Sequence, residues 1–130
     1  MTVAPITNLD YVILLCGRLA ETRAFYLETM RLPLEMDRAE WVSFRVGSGL
    51  LTLRPRGPGL AWDDGPALAG SAAVQLAFRV PPPAIDDWHA ALIAKGVPIL
   101  SPPKELVGWR HRTLFLRDPE GNIVELYAEI

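Results

Sequence analysis

Glu125 is a carboxylate set into the apolar run Ile123-Val124-Glu125-Leu126. A charge in such a run needs a partner, because an unpaired one is costly to bury. The partner would be a metal ion, a bound ligand, or an arginine such as Arg45 or Arg54. His111 stands between Arg110 and Arg112. It reads either as a solvated rim residue or, through its neutral imidazole, as a general base. Trp41 and Trp109 offer planar faces for stacking, and Arg45 and Arg54 offer guanidiniums to a carboxylate or enolate oxygen. Each also has a plainer role: Trp109 would cap the open end of a curled sheet, and the arginines would pair with nearby acids. His89, beside Trp88, is expected to do no chemistry. Cys16 closes the run Tyr-Val-Ile-Leu-Leu-Cys with no charged neighbour, so it reads as a small core residue and not as a nucleophile. As the single cysteine it excludes an intrachain disulfide and a cysteine-built zinc site.

The elements that must position these groups repeat once along the chain. Residues 9–16 have the length and branching of a strand, and 18–30 carry apolar residues at helical spacing up to Pro33. Strands follow at about 33–37, 40–46 and 49–55, with Gly47, Ser48 and Gly49 as a hairpin turn. The second half runs in the same order. It has a strand at 73–80, then Pro81 to Pro83 leading into a helix that ends at Lys95, with Ile85, Trp88 and Leu92 as its buried stripe and Gly96 just past its end. Strands near 98–101, 109–117 and 122–128 complete it. Each half is therefore βαβββ, one duplicated module and not two domains: about 8–55, then 72–130. The linker of about 56–71 is rich in Gly and Pro, and Trp62 within it is expected to pack the loop down onto a module or a partner subunit.

Strand alternation sorts the side chains by face. One face should carry Tyr11, Ile13 and Leu15; Trp41, Ser43 and Arg45; and Leu50, Thr52 and Arg54. In the second module it should carry Gln75, Ala77 and Arg79; Trp109, His111, Thr113 and Phe115; and Ile123, Glu125 and Tyr127. Aromatics, arginines, one histidine and one carboxylate on a single face suit a cleft for a small molecule better than a solvated sheet surface.

Composition narrows the field. The chain has 130 residues, half of them hydrophobic and 22% charged, which is ample for a globular core. Thirteen basic against 15 acidic residues leave a net charge of -2, which argues against a general nucleic-acid binder. No apolar run approaches the roughly 18 residues of a membrane span. The stretch from Met1 to Asp10 has no basic start of a signal peptide, so a cytoplasmic location is expected.

The turn Asp118-Pro119-Glu120-Gly121-Asn122, running into Ile123-Val124-Glu125-Leu126, resembles the vicinal oxygen chelate superfamily. The two βαβββ units and the Leu9-Asp10-Tyr11 opening share that resemblance, which extends from Leu9 to Tyr127. That group includes glyoxalases, extradiol dioxygenases, fosfomycin-type resistance transferases and bleomycin-binding resistance proteins. The resemblance implies an α+β fold, in which tandem modules form a curled, barrel-like mixed sheet with a concave cleft. It implies metal-ligand places at Tyr11, Thr52, Gln75 and Glu125. Family enzymes typically carry histidine at the first and third places and a carboxylate at the last, and some carry a carboxylate at the second. Only Glu125 matches, although some glyoxalases use a glutamine as one ligand. A phenol binds metal well only after losing its proton, and Gln75 and Thr52 bring neutral oxygens. The expectation is therefore no metal, or a weakly bound Zn, Ni, Mn or Fe.

Three functions compete. The first is binding of a small aromatic or carbonyl-bearing molecule in the cleft, with Trp41, Arg45, Arg54, Trp109, Phe115, Tyr11 and Gln75 as contacts. The second is a metal-dependent lyase, isomerase or dioxygenase with an altered ligand set and Glu125 and His111 as its chemical groups. The third is a non-catalytic assembly module. A homodimer is expected in each case, since a half-barrel leaves strand edges that a second copy can cover.

Overall fold

In the computed structural model the described residues are 3–58, 61–69 and 71–130. The chain divides into two compact units, Met1–Ala67 and Leu68–Ile130. Their boundary falls inside the predicted linker, of which Gly59, Leu60 and Gly70 lie outside the described residues. So do Met1 and Thr2, the start of the stretch tested for a signal peptide.

The first unit holds β1 (Tyr11–Cys16), α1 (Leu19–Ala24), β2 (Leu34–Arg38), β3 (Trp41–Val46) and β4 (Gly49–Pro55). Its sheet has the order β1-β4-β3-β2, with β1 parallel to β4 and the other pairs antiparallel. The predicted helix over 18–30 is α-helical only as far as Ala24 and then widens into a π-helical turn over Phe25–Thr29. That turn carries Phe25 and Tyr26, both buried. Their rings meet edge to face at 5.0 Å, and Tyr26 also lies 6.3 Å from Phe44 of β3. The helix stops where Arg31 takes a left-handed conformation (φ 58°) and the Leu32 amide reaches back to the Tyr26 carbonyl, just before Pro33. Val42, Phe44, Leu51 and Leu53 complete this core together with Leu14 and Cys16, which is buried as its apolar neighbours require.

The second unit holds β5 (Gln75–Arg79), α2 (Ala84–Ala94), β6 (Ile99–Leu106), β7 (His111–Arg117) and β8 (Ile123–Glu129). Its sheet order, β5-β8-β7-β6, repeats the first unit strand for strand, again with one parallel pair. Ile85 and Leu92 of α2 are buried, as are Leu114, Leu116, Val124, Leu126 and Ala128 of the sheet, whereas Trp88 is only half-buried. Gly96, at φ 74°, ends α2, and the Val97 amide bonds the Leu92 carbonyl.

The repeat extends to register. Thr52 lies opposite Ile13 and Ser43, and Glu125 lies opposite Ala77 and Phe115. The two family metal-ligand places on β4 and β8 thus occupy equivalent points of the two sheets.

Several boundaries differ from the sequence reading: β1 and β5 start two residues late, at Tyr11 and Gln75, and β6 and β7 differ for reasons the backbone shows. β6 continues to Leu106 through Pro102 and Pro103, where a break was expected after 101. It is an edge strand whose pairing shifts between Ile99 and Ser101 and again between Ser101 and Lys104, the setting in which prolines are tolerated. β7 begins at His111 and not at Trp109. The amides of Trp109 and Arg110 both bond the Leu106 carbonyl, and Arg110 adopts φ 56°, so these two residues form the turn.

Candidate functional site

Alternate residues of three neighbouring strands in the second unit open onto a cavity of about 440 Å³. This lies within the usual range for small-ligand sites. Gln75 and Ala77 come from β5, Glu125 and Tyr127 from β8, and His111 and Phe115 from β7. Leu106 at the end of β6 and Trp109 in the following turn complete the wall. The turn before β8 sets the position of Glu125. Asp118 Oδ1 accepts from the amides of Glu120 and Asn122 at 2.9 Å each, and Oδ2 accepts from the Asn122 side chain at 3.0 Å. Asp118 and Asn122 are both buried, and Gly121 takes φ 92° between them. The motif that marked the family in the sequence is thus a turn that starts β8 in register, two residues before Glu125.

Glu125 is 9% exposed, and its Oε1 accepts a hydrogen bond from Gln75 Nε2 at 3.1 Å. An ionised carboxylate only accepts, so the amide NH2 must face it and Gln75 Oε1 is left as a second acceptor. The opposite part of the wall is aromatic. His111 stacks on Tyr127 at 4.6 Å between ring centroids, and Trp109 lies 6.5 Å from His111. Arg79 lies over the other part of this ladder, 5.9 Å from the Tyr127 ring, and pairs with Glu129 at 3.0 Å. Trp109 is 74% exposed and presents a largely open indole face. Thr113, expected on the same wall, is wholly buried and does not line the cavity; its hydroxyl has no partner among the described residues.

Of the residues singled out in the sequence, Gln75, Trp109, His111, Phe115 and Glu125 converge here. Leu106 escaped because β6 was expected to stop short of it. Ala77 and Tyr127 were legible from alternation but were not singled out as contacts. His89 is on α2 and is not part of the wall.

The remaining candidates belong to the first unit, where most have partners of their own. Arg45 Nη2 contacts both oxygens of Glu35 at 2.6 Å. Arg54 makes a two-pronged bond to Asp64 at 2.8 Å per arm. Both guanidiniums offered in the sequence as partners of Glu125 are thus engaged by carboxylates of their own unit, and Glu125 is held by Gln75. Asp64 also accepts from the Gly57 amide at 3.1 Å and from the Trp62 indole at 2.9 Å. Arg54 foremost, then these two donors, holds its carboxyl well below the usual carboxylate range. Within the single chain Trp62 is not packed down onto a module: the residue is 65% exposed, and its N–H is anchored on Asp64. Ser43 and Thr52 are buried and hydrogen-bonded to each other at 2.8 Å. Trp41 is half-buried at the start of β3, and Tyr11 is 49% exposed.

The donors at the four family metal places are one carboxylate, one amide whose N–H is turned to that carboxylate, one hydroxyl already bonded to Ser43, and one phenol. Among the described residues no group of three or more His, Cys, Asp or Glu side chains is placed to hold a metal ion. A tightly held divalent ion wants several imidazole or carboxylate ligands, and this donor set does not fit one.

Paired four-stranded sheets of this register, each with one parallel pair and a helical crossover, define an α+β protein of duplicated βαβββ build. The sequence model of the Glyoxalase/Bleomycin resistance protein/Dioxygenase superfamily matches residues 8–126, and the chain belongs to that superfamily. No curated protein gave a significant match. Among solved structures, the chain is similar to a glyoxalase/bleomycin resistance protein/dioxygenase from Nocardioides, with a TM-score of 0.82 and 21% identity over 99% of this chain and 87% of that one. It is also similar to a lactoylglutathione lyase from Agrobacterium tumefaciens, with a TM-score of 0.75 and 20% identity over 95% of each chain. A virulence protein from Salmonella typhimurium aligns at a TM-score of 0.71 and 18% identity over 98% of this chain and all of that one. At such identities the likeness establishes the fold.

Proposed function

We propose that the protein binds a small aromatic molecule in the cavity of its second unit, and does so without a resident metal. The observation that carries this reading is the wall itself: Trp109, His111, Phe115 and Tyr127 surround a cavity with one buried carboxylate. Flat apolar surface beside a few placed polar groups is the usual composition of a small-molecule site. Open aromatic faces contribute by offset stacking. The donor set at the family metal places supports the metal-free half of the reading.

Two measurements test it. Metal analysis of protein purified without chelators should find well under one equivalent of any divalent ion. Titration with planar aromatic compounds should perturb tryptophan fluorescence, and Trp109→Ala should remove the response. A stoichiometric Ni, Zn, Mn or Fe that is lost in Glu125→Ala would overturn the reading. It would favour instead a lyase, isomerase or dioxygenase of the glyoxalase kind. The observation on that side is that His111, the imidazole read in the sequence as a general base, lines the same cavity as Glu125. Homodimerisation and a cytoplasmic location belong to the same proposal, and sedimentation at micromolar concentration checks the first.

A further inference from the structure

The cavity's polar chemistry is one-sided. Glu125 is the one carboxylate of its lining, and no arginine or lysine is among the lining residues. Glu125 Oε1 takes one hydrogen bond from Gln75, and Oε2 has no hydrogen-bond partner among the described residues although the residue is 9% exposed. Gln75 Oε1 adds a neutral acceptor next to it, since its NH2 is committed to the carboxylate. Of the cations on this sheet face, Arg79 is already held by Glu129 and by the Tyr127 hydroxyl, and Lys104, across from Thr113, is not part of the wall. The cavity thus offers acceptors with unused capacity at one side and stacked rings at the other.

From this we infer that the ligand is a planar aromatic carrying an N–H-rich cationic group, an amidinium or ammonium, that docks on Glu125 while its ring lies along Trp109 and His111. This rests on the small-molecule reading above and specifies the charge of the molecule. It departs from the sequence expectation of a carboxylate or enolate clamped by Arg45 or Arg54. The physical warrant is that a mostly buried carboxylate with an unfilled oxygen gains most from a donor that is itself charged and planar. An anion placed there would meet like charge in a partly desolvated site.

A matched series tests this by calorimetric titration with chelator present throughout: 2-naphthamidine (cation), 2-naphthamide (neutral) and 2-naphthoate (anion). The expected order of affinity is amidine, then amide, then carboxylate. The first and last should differ by about tenfold or more, the scale of a charge-assisted hydrogen bond. Glu125→Gln should collapse the advantage of the amidine over the amide, whereas Trp109→Ala should weaken all three together. Naphthoate binding as tightly as naphthamidine in the native protein would overturn the inference, as would an unchanged order in Glu125→Gln. If none of the three binds, the small-molecule reading itself fails and takes the inference with it. If binding occurs without charge preference, only the inference fails.

Discussion

Asp118 never touches the cavity, yet it bears on the site as much as the residues that do. With three accepted hydrogen bonds and nearly full burial, it holds the turn from which β8 starts. Asp118→Ala leaves those donors unpaired, and chemical denaturation should record a loss of about 1–3 kcal/mol. Asp118→Asn, which keeps one side-chain acceptor, should lose less. The side chains of the D-P-x-G-N motif were legible because local turn chemistry is written in adjacent residues. The hydrogen bond between Gln75 and Glu125 was not, since it joins residues 50 positions apart on paired strands. Alternation could place both on one face, but only the observed register sets the distance between them. The same limit explains the arginines. A free guanidinium and one already clamped by Glu35 or Asp64 look alike in a sequence.

The loop after β4 is an element built around one carboxylate. Arg54, Gly57 and Trp62 all donate to Asp64, and the Asp64 amide returns to the Gly57 carbonyl. The folded carboxyl ionises below its unfolded value of about 3.9. The clamp's contribution is therefore complete above that value and is lost as pH falls below it, through the folded value. The Trp62 indole N–H resonance should stay sharp from neutral pH down to about 4 and broaden on further acidification. Asp64→Asn should abolish this pH dependence and give a loosened loop at every pH. Helices and inner strands were legible from their periodicity; edges were less so. β6 was cut short because its prolines usually end a strand, and only its place at the sheet edge allows them. The π-helical turn at Phe25–Thr29 left no mark in the apolar spacing, because one extra residue per turn still puts Phe25 and Tyr26 against the sheet.

At the scale of the whole chain, each unit has a core of its own, so each can be weakened separately. Phe44→Ala in the first unit should cost about 3–5 kcal/mol and Leu114→Ala in the second about 2–5 kcal/mol, measured by denaturant unfolding. Hydrogen exchange would then report which amides open early in each variant. The duplication itself was plain in the sequence, because the order of elements and their lengths recur. What the halves do differently was not. At equivalent register points the first unit pairs Ser43 with Thr52, two hydroxyls that satisfy each other, while the second pairs Phe115 with Glu125, a ring and a charge facing a cavity. The protein therefore carries an internal control: at this register point one copy buries two bonded hydroxyls where its twin lines a cavity. Rewriting the second copy in the image of the first, with Phe115→Ser and Glu125→Thr together, should leave the fold standing and silence binding. The duplication would then have set, at one and the same point of the sheet, a self-satisfied pair of hydroxyls in one half and a charge reaching for a partner in the other.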